Sequence, residues 1–140
     1  MMTVYTATLR FETRGHAHMI DVTREVQQVV QDSDLTAGIV TVFCPGSTGA
    51  LTTIEYESGA LQDFERLFDA IAPADQPYAH NARWGDGNGH SHVRAALLGP
   101  SLTVPFAEGG LLLGTWQQII FVDFDNRGRQ RRLVVQVMGE

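Results

Sequence analysis

The sequence contains no lysine, because all ten of its cationic residues are arginines. Without a lysine amine, the chain can neither form a Schiff base with a carbonyl substrate nor hold a nucleotide with a Walker-type phosphate loop. Acidic residues outnumber the arginines and give a net charge of −6. A chain of this charge is a poor general binder of nucleic acid, since that affinity depends on cations that neutralise phosphates. We therefore exclude two lysine-dependent enzyme classes and expect no nucleic-acid partner.

Cysteine and long apolar runs are equally scarce. Cys44 is the only cysteine, so no internal disulfide can form. Its position before Pro45, at the end of an apolar run, is more typical of a small buried hydrophobe than of a nucleophile. No stretch is long enough to span a membrane, and the first ten residues lack the apolar core of a signal peptide. We expect a soluble, cytoplasmic protein with no membrane partner.

The 140 residues fit a single domain, 1–140, with a core of ordinary size. Their hydrophobic periodicity predicts an α+β fold of order ββαββα followed by several antiparallel strands, β-sandwich-like with two helices. The predicted helices cover 22–32 and 59–72, where apolar residues recur at helical spacing. The predicted strands cover 3–12, 16–20, 38–43, 50–56, 93–98, 101–106, 111–114, 117–125 and 131–138.

Residues 78–100 contain three of the five histidines, His80, His90 and His92. In an extended chain His90 and His92 project from one face, and His80 and Asp86 can complete a shell of nitrogen and oxygen atoms. Such a shell suits zinc or another divalent ion, although the spacing matches none of the strong metal motifs. The pattern alone supports a metal or catalytic site and a glycine-rich surface loop equally.

Two turns carry candidate anion-binding groups. Ser47 and Thr48 lie in a glycine-bounded turn, where hydroxyl and backbone N–H groups can bind phosphate. A plain hairpin turn is the simpler interpretation of these residues. A second turn is flanked by a basic cluster. These arginines could bind an anion, but a solvated turn is the simpler interpretation. This cluster consists of Arg127, Arg129, Arg131 and Arg132.

Two other polar pairs leave alternatives open. Glu55 and Glu57 share a face at the end of a predicted strand, where they suit either solvent or acid–base chemistry. His16 and His18 would share a face of the second strand, where half-exposed histidines without a function are the simpler interpretation. Neither pair decides a function.

Three sequence blocks are similar to a known family: 46–55 (Gly-Ser-Thr-Gly-Ala-Leu-Thr-Thr-Ile-Glu), 87–101, which contains Gly-His-Ser-His, and 113–119 (Leu-Gly-Thr-Trp-Gln-Gln-Ile). In order and spacing they resemble the YjbQ-like family, also called secondary thiamine-phosphate synthase enzymes. The resemblance implies a β-sandwich-like α+β fold, a homotrimer with sites near subunit boundaries, and thiamine-phosphate synthase activity. In that reaction the ring nitrogen of a thiazole phosphate attacks the methylene of an aminopyrimidine diphosphate, and diphosphate leaves.

The resemblance and the residue types together give the candidate site. It contains a divalent metal, zinc or magnesium, and binds a small phosphorylated metabolite. The predicted metal ligands are His80, His90 and His92, of which His90 occurs in only part of the family. The predicted catalytic residues are Glu55, Asp63, Asp86 and His92. The predicted substrate-binding residues are Ser47, Thr48, Asn88 and Arg94.

One position departs from the family. Many members carry His-Thr-Ser-Ala where this chain has Gly-Ser-Thr-Gly at 46–49, so a histidine is missing, and we expect His90 to compensate. We predict a cytoplasmic, trimeric, metal-assisted enzyme. The alternatives are a non-catalytic trimeric module that binds a metal or a phosphorylated metabolite, and a structural trimer with a vestigial site.

Overall fold

Eight strands and four helices form the computed structural model, which describes all residues, 1–140. The α+β class and the initial ββαββα order are confirmed. In chain order the elements are β1 (Thr3–Glu12), β2 (His18–Asp21), α1 (Thr23–Asp32), β3 (Gly38–Phe43), β4 (Gly49–Ile54), α2 (Ser58–Ile71), α3 (Ala79–Trp84), α4 (Gly89–Leu98), β5 (Ser101–Ala107), β6 (Gly110–Leu111), β7 (Gln118–Asp123) and β8 (Gln130–Gly139).

The strands form two antiparallel sheets. One has five strands in the order β1-β8-β3-β5-β6, and the other has three in the order β2-β7-β4. The longest pairing joins β1 to β8, with Thr3 opposite Gly139 and Glu12 opposite Gln130. This pairing joins the first strand to the last, and β1 is an edge strand of the large sheet.

The three-stranded sheet is the middle layer of the molecule. On one side of β7, Ile119 and Phe121 belong to the core shared with the five-stranded sheet and α1. On the other side, Ile120 and Val122 belong to a core shared with α2 and α4. All four side chains are fully buried, which explains why this strand is a continuous apolar run without polar alternation.

Residues 78–100 were predicted wrongly as a loop followed by a strand at 93–98. They form α3 and α4, so the chain has four helices in place of the predicted two. Gly85, with a positive φ of 65°, ends α3, and Gly99 before Pro100 ends α4. Gly89, the first residue of α4, packs on Tyr78 so closely that a Cβ would lie 2.5 Å from the Tyr78 Cβ atom. Only glycine fits there.

Other boundaries differ by a few residues. The predicted second strand began at His16, but His16 lies in a turn with a positive φ of 52° and β2 begins at His18. Cys44 is fully buried and free, as expected for a small core residue. The longest helix, α2, has 14 residues, and none of the four qualifies as a membrane span.

Candidate functional site

Helix α4 separates the two histidines that were predicted to share a face. Residues two apart on a helix point about 200° apart around its axis. His90 is buried, with its ring centroid 6.4 Å from that of Tyr78. His92 is half-buried, and its ring centroid lies 4.4 Å from that of His80, on α3. The structure therefore pairs His80 with His92, called the histidine pair below, and places His90 elsewhere.

A carboxylate lies beside the histidine pair. The Nδ1 atom of His80 is 3.2 Å from Oδ1 of Asp86, without the alignment of a hydrogen bond. The same oxygen accepts a hydrogen bond from the backbone N–H of Asn88. The three groups Asp86, His80 and His92 thus follow one another in space, a carboxylate and two imidazoles that can hold and transfer a proton.

His92 also lines a groove of about 380 Å³, called the His92 groove below. The opposite wall is the turn at 46–49 between β3 and β4, which contributes Gly46, Ser47 and Gly49. The rest of the lining is small, so the groove has room for a ligand beside the imidazole. Of the predicted substrate-binding residues, exposed Ser47 is the one that the structure places in this groove.

The 46–49 turn rests on two buried aspartates at the end of β7 that sequence reasoning missed. Asp123 and Asp125 are 0 % and 1 % exposed. The hydroxyl of Thr48 donates to Oδ2 of Asp125 at 2.9 Å, and Nδ2 of Asn88 donates to the same oxygen at 3.2 Å. Because Thr48 belongs to the turn and Asn88 precedes α4, Asp125 holds both walls of the His92 groove.

Two arginines of the basic cluster neutralise these aspartates. Arg131 donates from Nε and Nη2 to the two carboxylate oxygens of Asp123, each at 2.7 Å. Its Nη2 atom also donates to the Thr48 hydroxyl at 2.7 Å. Arg129 pairs with Asp125 at 3.1 Å. These residues form what we call the aspartate cluster, Asp123, Asp125, Arg129 and Arg131, and two of the four arginines of the turn therefore support the fold.

The pKa values follow from these contacts. Burial acts to raise the pKa of Asp125, but hydrogen bonds from Thr48, Asn88 and Arg129 outweigh it, and the pKa is lowered. Burial acts to lower the pKa of Arg131, but its bonds to Asp123 outweigh that effect, and the pKa is raised. Both pKa shifts favour the charged forms of Asp125 and Arg131.

Three predicted substrate-binding residues are corrected. Thr48 and Asn88 are buried and direct their side chains to Asp125, as described above. The Arg94 side chain is 6 % exposed and donates to the backbone oxygen of Ala72 at 2.9 Å and to Asp69 at 3.1 Å. These side chains hold α4 in place and are not available to a phosphate.

Two predicted acid–base residues also lie outside the His92 groove. Asp63 is exposed on α2 and pairs with Arg66 on the same helix. Glu55 is exposed just after β4, and its side chain forms no hydrogen bond or ion pair. The structure does not bring either carboxylate to His92.

His90 occupies a separate environment. Burial lowers its pKa, and the nearby charges of Arg94 and His16 lower it further. Its Nδ1 atom is buried without a hydrogen-bond partner. His90 is therefore a neutral, buried residue of the packing between α4 and its neighbours.

The predicted three-histidine metal centre is not formed within the chain. No group of three or more His, Cys, Asp or Glu side chains has the arrangement of a metal site. His90 points away from the histidine pair, and His80, His92 and Asp86 alone do not make such a group. A divalent ion does not fit the donors of a single chain, and we derive no chemical step through one.

The family model described as UPF0047 protein YjbQ-like matches residues 7–140. The chain belongs to the YjbQ-like family. It is 42% identical to a UPF0047 protein of Methanothermobacter thermautotrophicus over 139 residues, 99% of this chain and 95% of the relative. It is 34% identical to the UPF0047 protein YugU of Bacillus subtilis over 134 residues, 94% of this chain and 98% of the relative.

Solved structures of YjbQ-like proteins agree with the fold. The chain superposes on a YbjQ-like protein of unknown function from Sulfolobus solfataricus with a TM-score of 0.95, at 31% identity and full coverage of both chains. A YjbQ/UPF0047 family protein from Clostridium acetobutylicum gives a TM-score of 0.86 at 31% identity, covering 94% and 98% of the two chains. The family expected from the three sequence blocks is confirmed, and its function is not established.

Proposed function

We propose that this chain is a cytoplasmic enzyme that acts on a small phosphorylated metabolite in the His92 groove. The observation that carries the proposal is the order of Asp86, His80 and His92, which ends at the wall of that groove. A carboxylate beside one imidazole stabilises a positive charge formed there, and the second imidazole faces the ligand. This arrangement suits proton transfer to or from a bound substrate.

The reaction class comes from the family resemblance, a transfer of the thiamine-phosphate synthase type. The ring nitrogen of a thiazole phosphate forms a bond to the methylene carbon of an aminopyrimidine diphosphate. The carbon–oxygen bond to diphosphate breaks, and the electron pair leaves with the diphosphate. In this step His92 acts as a general acid that donates a proton to the departing oxygen, and the carboxylate of Asp86 beside His80 stabilises positive charge on the histidine pair. The physiological substrate can differ from this pair.

Substitution of the histidine pair tests the proposal. Purified protein is incubated with the two phosphorylated substrates, and thiamine phosphate and diphosphate are quantified. We expect His92→Ala to lower turnover roughly 100-fold or more, because a positioned acid contributes at least that much. His16→Asn is a matched control, since His16 is exposed outside the groove and asparagine tolerates its positive φ. Unchanged turnover in His92→Ala would remove the proposed role.

A non-catalytic binding module is the second candidate, and one observation favours it. Gly46 lines the groove opposite His92, at the position where many family members carry a histidine. Loss of a catalytic imidazole there would leave a groove that binds without chemistry. Such a module is stabilised thermally by the intact ligand and returns it unaltered, whereas an enzyme yields product from the same incubation.

A bound metal stays a prediction. Zinc or magnesium would need donors beyond those that one chain arranges. Elemental analysis of protein purified without chelators measures it directly. A stoichiometric metal that is lost in His80→Ala and His92→Ala would place the ion at the histidine pair, and protein free of metal would contradict the prediction.

We further propose that the chain assembles as a homotrimer through the outer face of the five-stranded sheet. The row Val4, Met138, Ile39 and Pro105 crosses four strands, and the first three side chains are 55%, 39% and 39% exposed. The next two rows of this face contain only Thr, Gln, Val, Phe and Ser. These three rows carry no charge, and the row of Arg10 and Arg132 bounds them. An uncharged area of this kind is typical of an interface. The number of three subunits comes from the family resemblance.

Light scattering tests this assembly. We expect wild-type protein to have three times the chain mass and Ile39→Glu to have a lower mass, because a buried carboxylate at the interface is unfavourable. Leu67→Glu is the control, since Leu67 is 51% exposed on α2, away from the sheet face. A monomeric wild type, or equal effects of both variants, would contradict the proposed interface.

A further inference from the structure

A second groove lies on the other side of the turn that forms the His92 groove. Its volume is about 470 Å³, and three of its lining residues are arginines, Arg10, Arg131 and Arg132. Pro45 lines this arginine groove, and the next residue, Gly46, lines the His92 groove. The two grooves are therefore adjacent, with the chain at 45 and 46 between them.

One nitrogen atom of the Arg131 guanidinium has no hydrogen-bond partner beside this groove. The Arg131 side chain is only 10% exposed, and its Nε and Nη2 atoms are bound to Asp123 and Thr48. The Nη1 atom makes no hydrogen bond within the chain. It is the atom that faces Gly46, because a Cβ added at Gly46 would lie 3.3 Å from it. A buried, rigidly held cation thus presents an unused donor beside the turn, and glycine at 46 leaves that donor uncovered.

Arg10 and Arg132 add positive charge at the rim. They lie directly opposite each other on β1 and β8, and both are exposed. Neither forms an ion pair, including with Glu12, which lines the same groove. Like charges directly opposite on neighbouring strands destabilise a sheet. A bound anion between the two guanidinium groups would relieve this repulsion.

We propose that the arginine groove binds a phosphate or diphosphate group, with Arg131 Nη1 at its base and Arg10 and Arg132 at its rim. Planar guanidinium groups bind phosphate oxygens with paired, charge-assisted hydrogen bonds. In this proposal the arginine groove, and not Thr48 or Arg94, binds the phosphate of the ligand. The identity of the ligand rests on the proposed function. The two grooves are adjacent, so a ligand whose phosphate is bound here can reach the His92 groove.

Calorimetric titration with inorganic pyrophosphate at low salt tests the site on the full-length chain. We expect saturable binding, and we expect Arg10→Gln and Arg132→Gln each to weaken it about tenfold, since each removes one charge-assisted hydrogen-bonding group. Arg127→Gln is the matched control, because it removes the same charge from an exposed arginine outside the groove. Its affinity should stay within about twofold of the wild type.

Two outcomes would overturn the site: no saturable binding, or an equal loss of affinity in all three variants, which is the result of general charge screening. Arg131→Lys provides a further measurement, because it keeps the charge at 131 but removes Nη1. We expect it to weaken pyrophosphate binding as well, and unchanged affinity would contradict the role of Nη1.

The anion site and the proposed enzyme activity can be tested independently of each other. His92→Ala should bind pyrophosphate as the wild type does, because His92 is not part of the arginine groove. Pyrophosphate binding without turnover in any assay would support the anion site and contradict the proposed enzyme activity. If the wild-type protein turns over substrate but does not bind pyrophosphate, only the proposed anion site is contradicted.

Discussion

The two polar clusters beside the His92 groove differ in how completely their hydrogen-bonding groups are used. Three of the four carboxylate oxygens of Asp123 and Asp125 accept hydrogen bonds from side chains or backbone. The histidine pair has one carboxylate neighbour, Asp86, and no aligned hydrogen bond to it. The fourth, Oδ1 of Asp125, is buried without a partner. A buried network with most of its groups paired fixes a structure, whereas the His92 imidazole lines a groove that is open to a ligand. We assign support to the aspartate cluster and chemistry to His80 and His92.

The difference has a physical cause in burial. Arg131 and Asp123 are removed from water, so each needs the other's charge to offset the cost of losing hydration. His80 and Asp86 are 30% and 47% exposed, and water offsets that cost for them. Loss of a partner should therefore change folding stability in the first cluster and activity in the second.

Asp123→Ala should give the largest effect on stability. It leaves the Arg131 guanidinium buried without its partner, which costs about 3–5 kcal/mol in the free energy of unfolding. Urea unfolding followed by circular dichroism measures it. Asp63→Ala is the control, because its ion pair with Arg66 is exposed and its loss should cost less than about 1 kcal/mol. Similar losses in both variants would remove the distinction between the two clusters.

We expect a smaller effect in the pH dependence of the free energy of unfolding. Because the pKa of Asp125 is lower in the folded chain than in the unfolded chain, its ionised form stabilises the fold above about pH 4. That stabilisation is lost as the pH falls through the folded pKa, since the carboxylate must then take up a proton. We expect the wild type to lose more free energy of unfolding than Asp125→Asn between pH 7 and pH 3. Parallel pH profiles would show that Asp125 contributes nothing through its charge.

The sequence predicted the elements whose hydrophobic period is long and regular. Strand β1 was predicted at 3–12 and helix α1 at 22–32, and the structure has them at Thr3–Glu12 and Thr23–Asp32. In both, the less exposed residues recur at the period of the element, so the pattern alone gives the face and the length. Val26, Val29 and Val30 of α1 belong to the core between the two sheets, and the half-buried face of β1 packs against it.

The histidine segment was predicted wrongly because its helices are short and several glycines lie next to them. Six residues of α3 and ten of α4 give too few turns for a clear period. Glycine is typical of loops, but here Gly85 and Gly99 each end a helix. The close packing of Gly89 on Tyr78, which fixes α4, is a tertiary contact without a local signal.

The aspartate cluster was missed for a different reason. Asp123 and Asp125 were visible as carboxylates ending the apolar run of β7, and such residues require buried donors. Their partners are distant in the chain, since Thr13 and Asp123 are 110 positions apart, and Thr48 and Asp125 are 77 apart. The sequence shows that donors are needed, but only the fold shows which residues provide them.

Glu55 and Asp63 give the smallest expected effect. Both match acidic positions of the family, yet both are exposed outside the His92 groove. Glu55→Gln and Asp63→Asn should leave turnover within about twofold and the free energy of unfolding within about 0.5 kcal/mol. Steady-state kinetics beside His92→Ala measures this. A loss comparable to that of His92→Ala would mean that the carboxylates reach a substrate from outside one chain's groove, as they would across a subunit boundary, and that chemistry is not confined to the histidine pair.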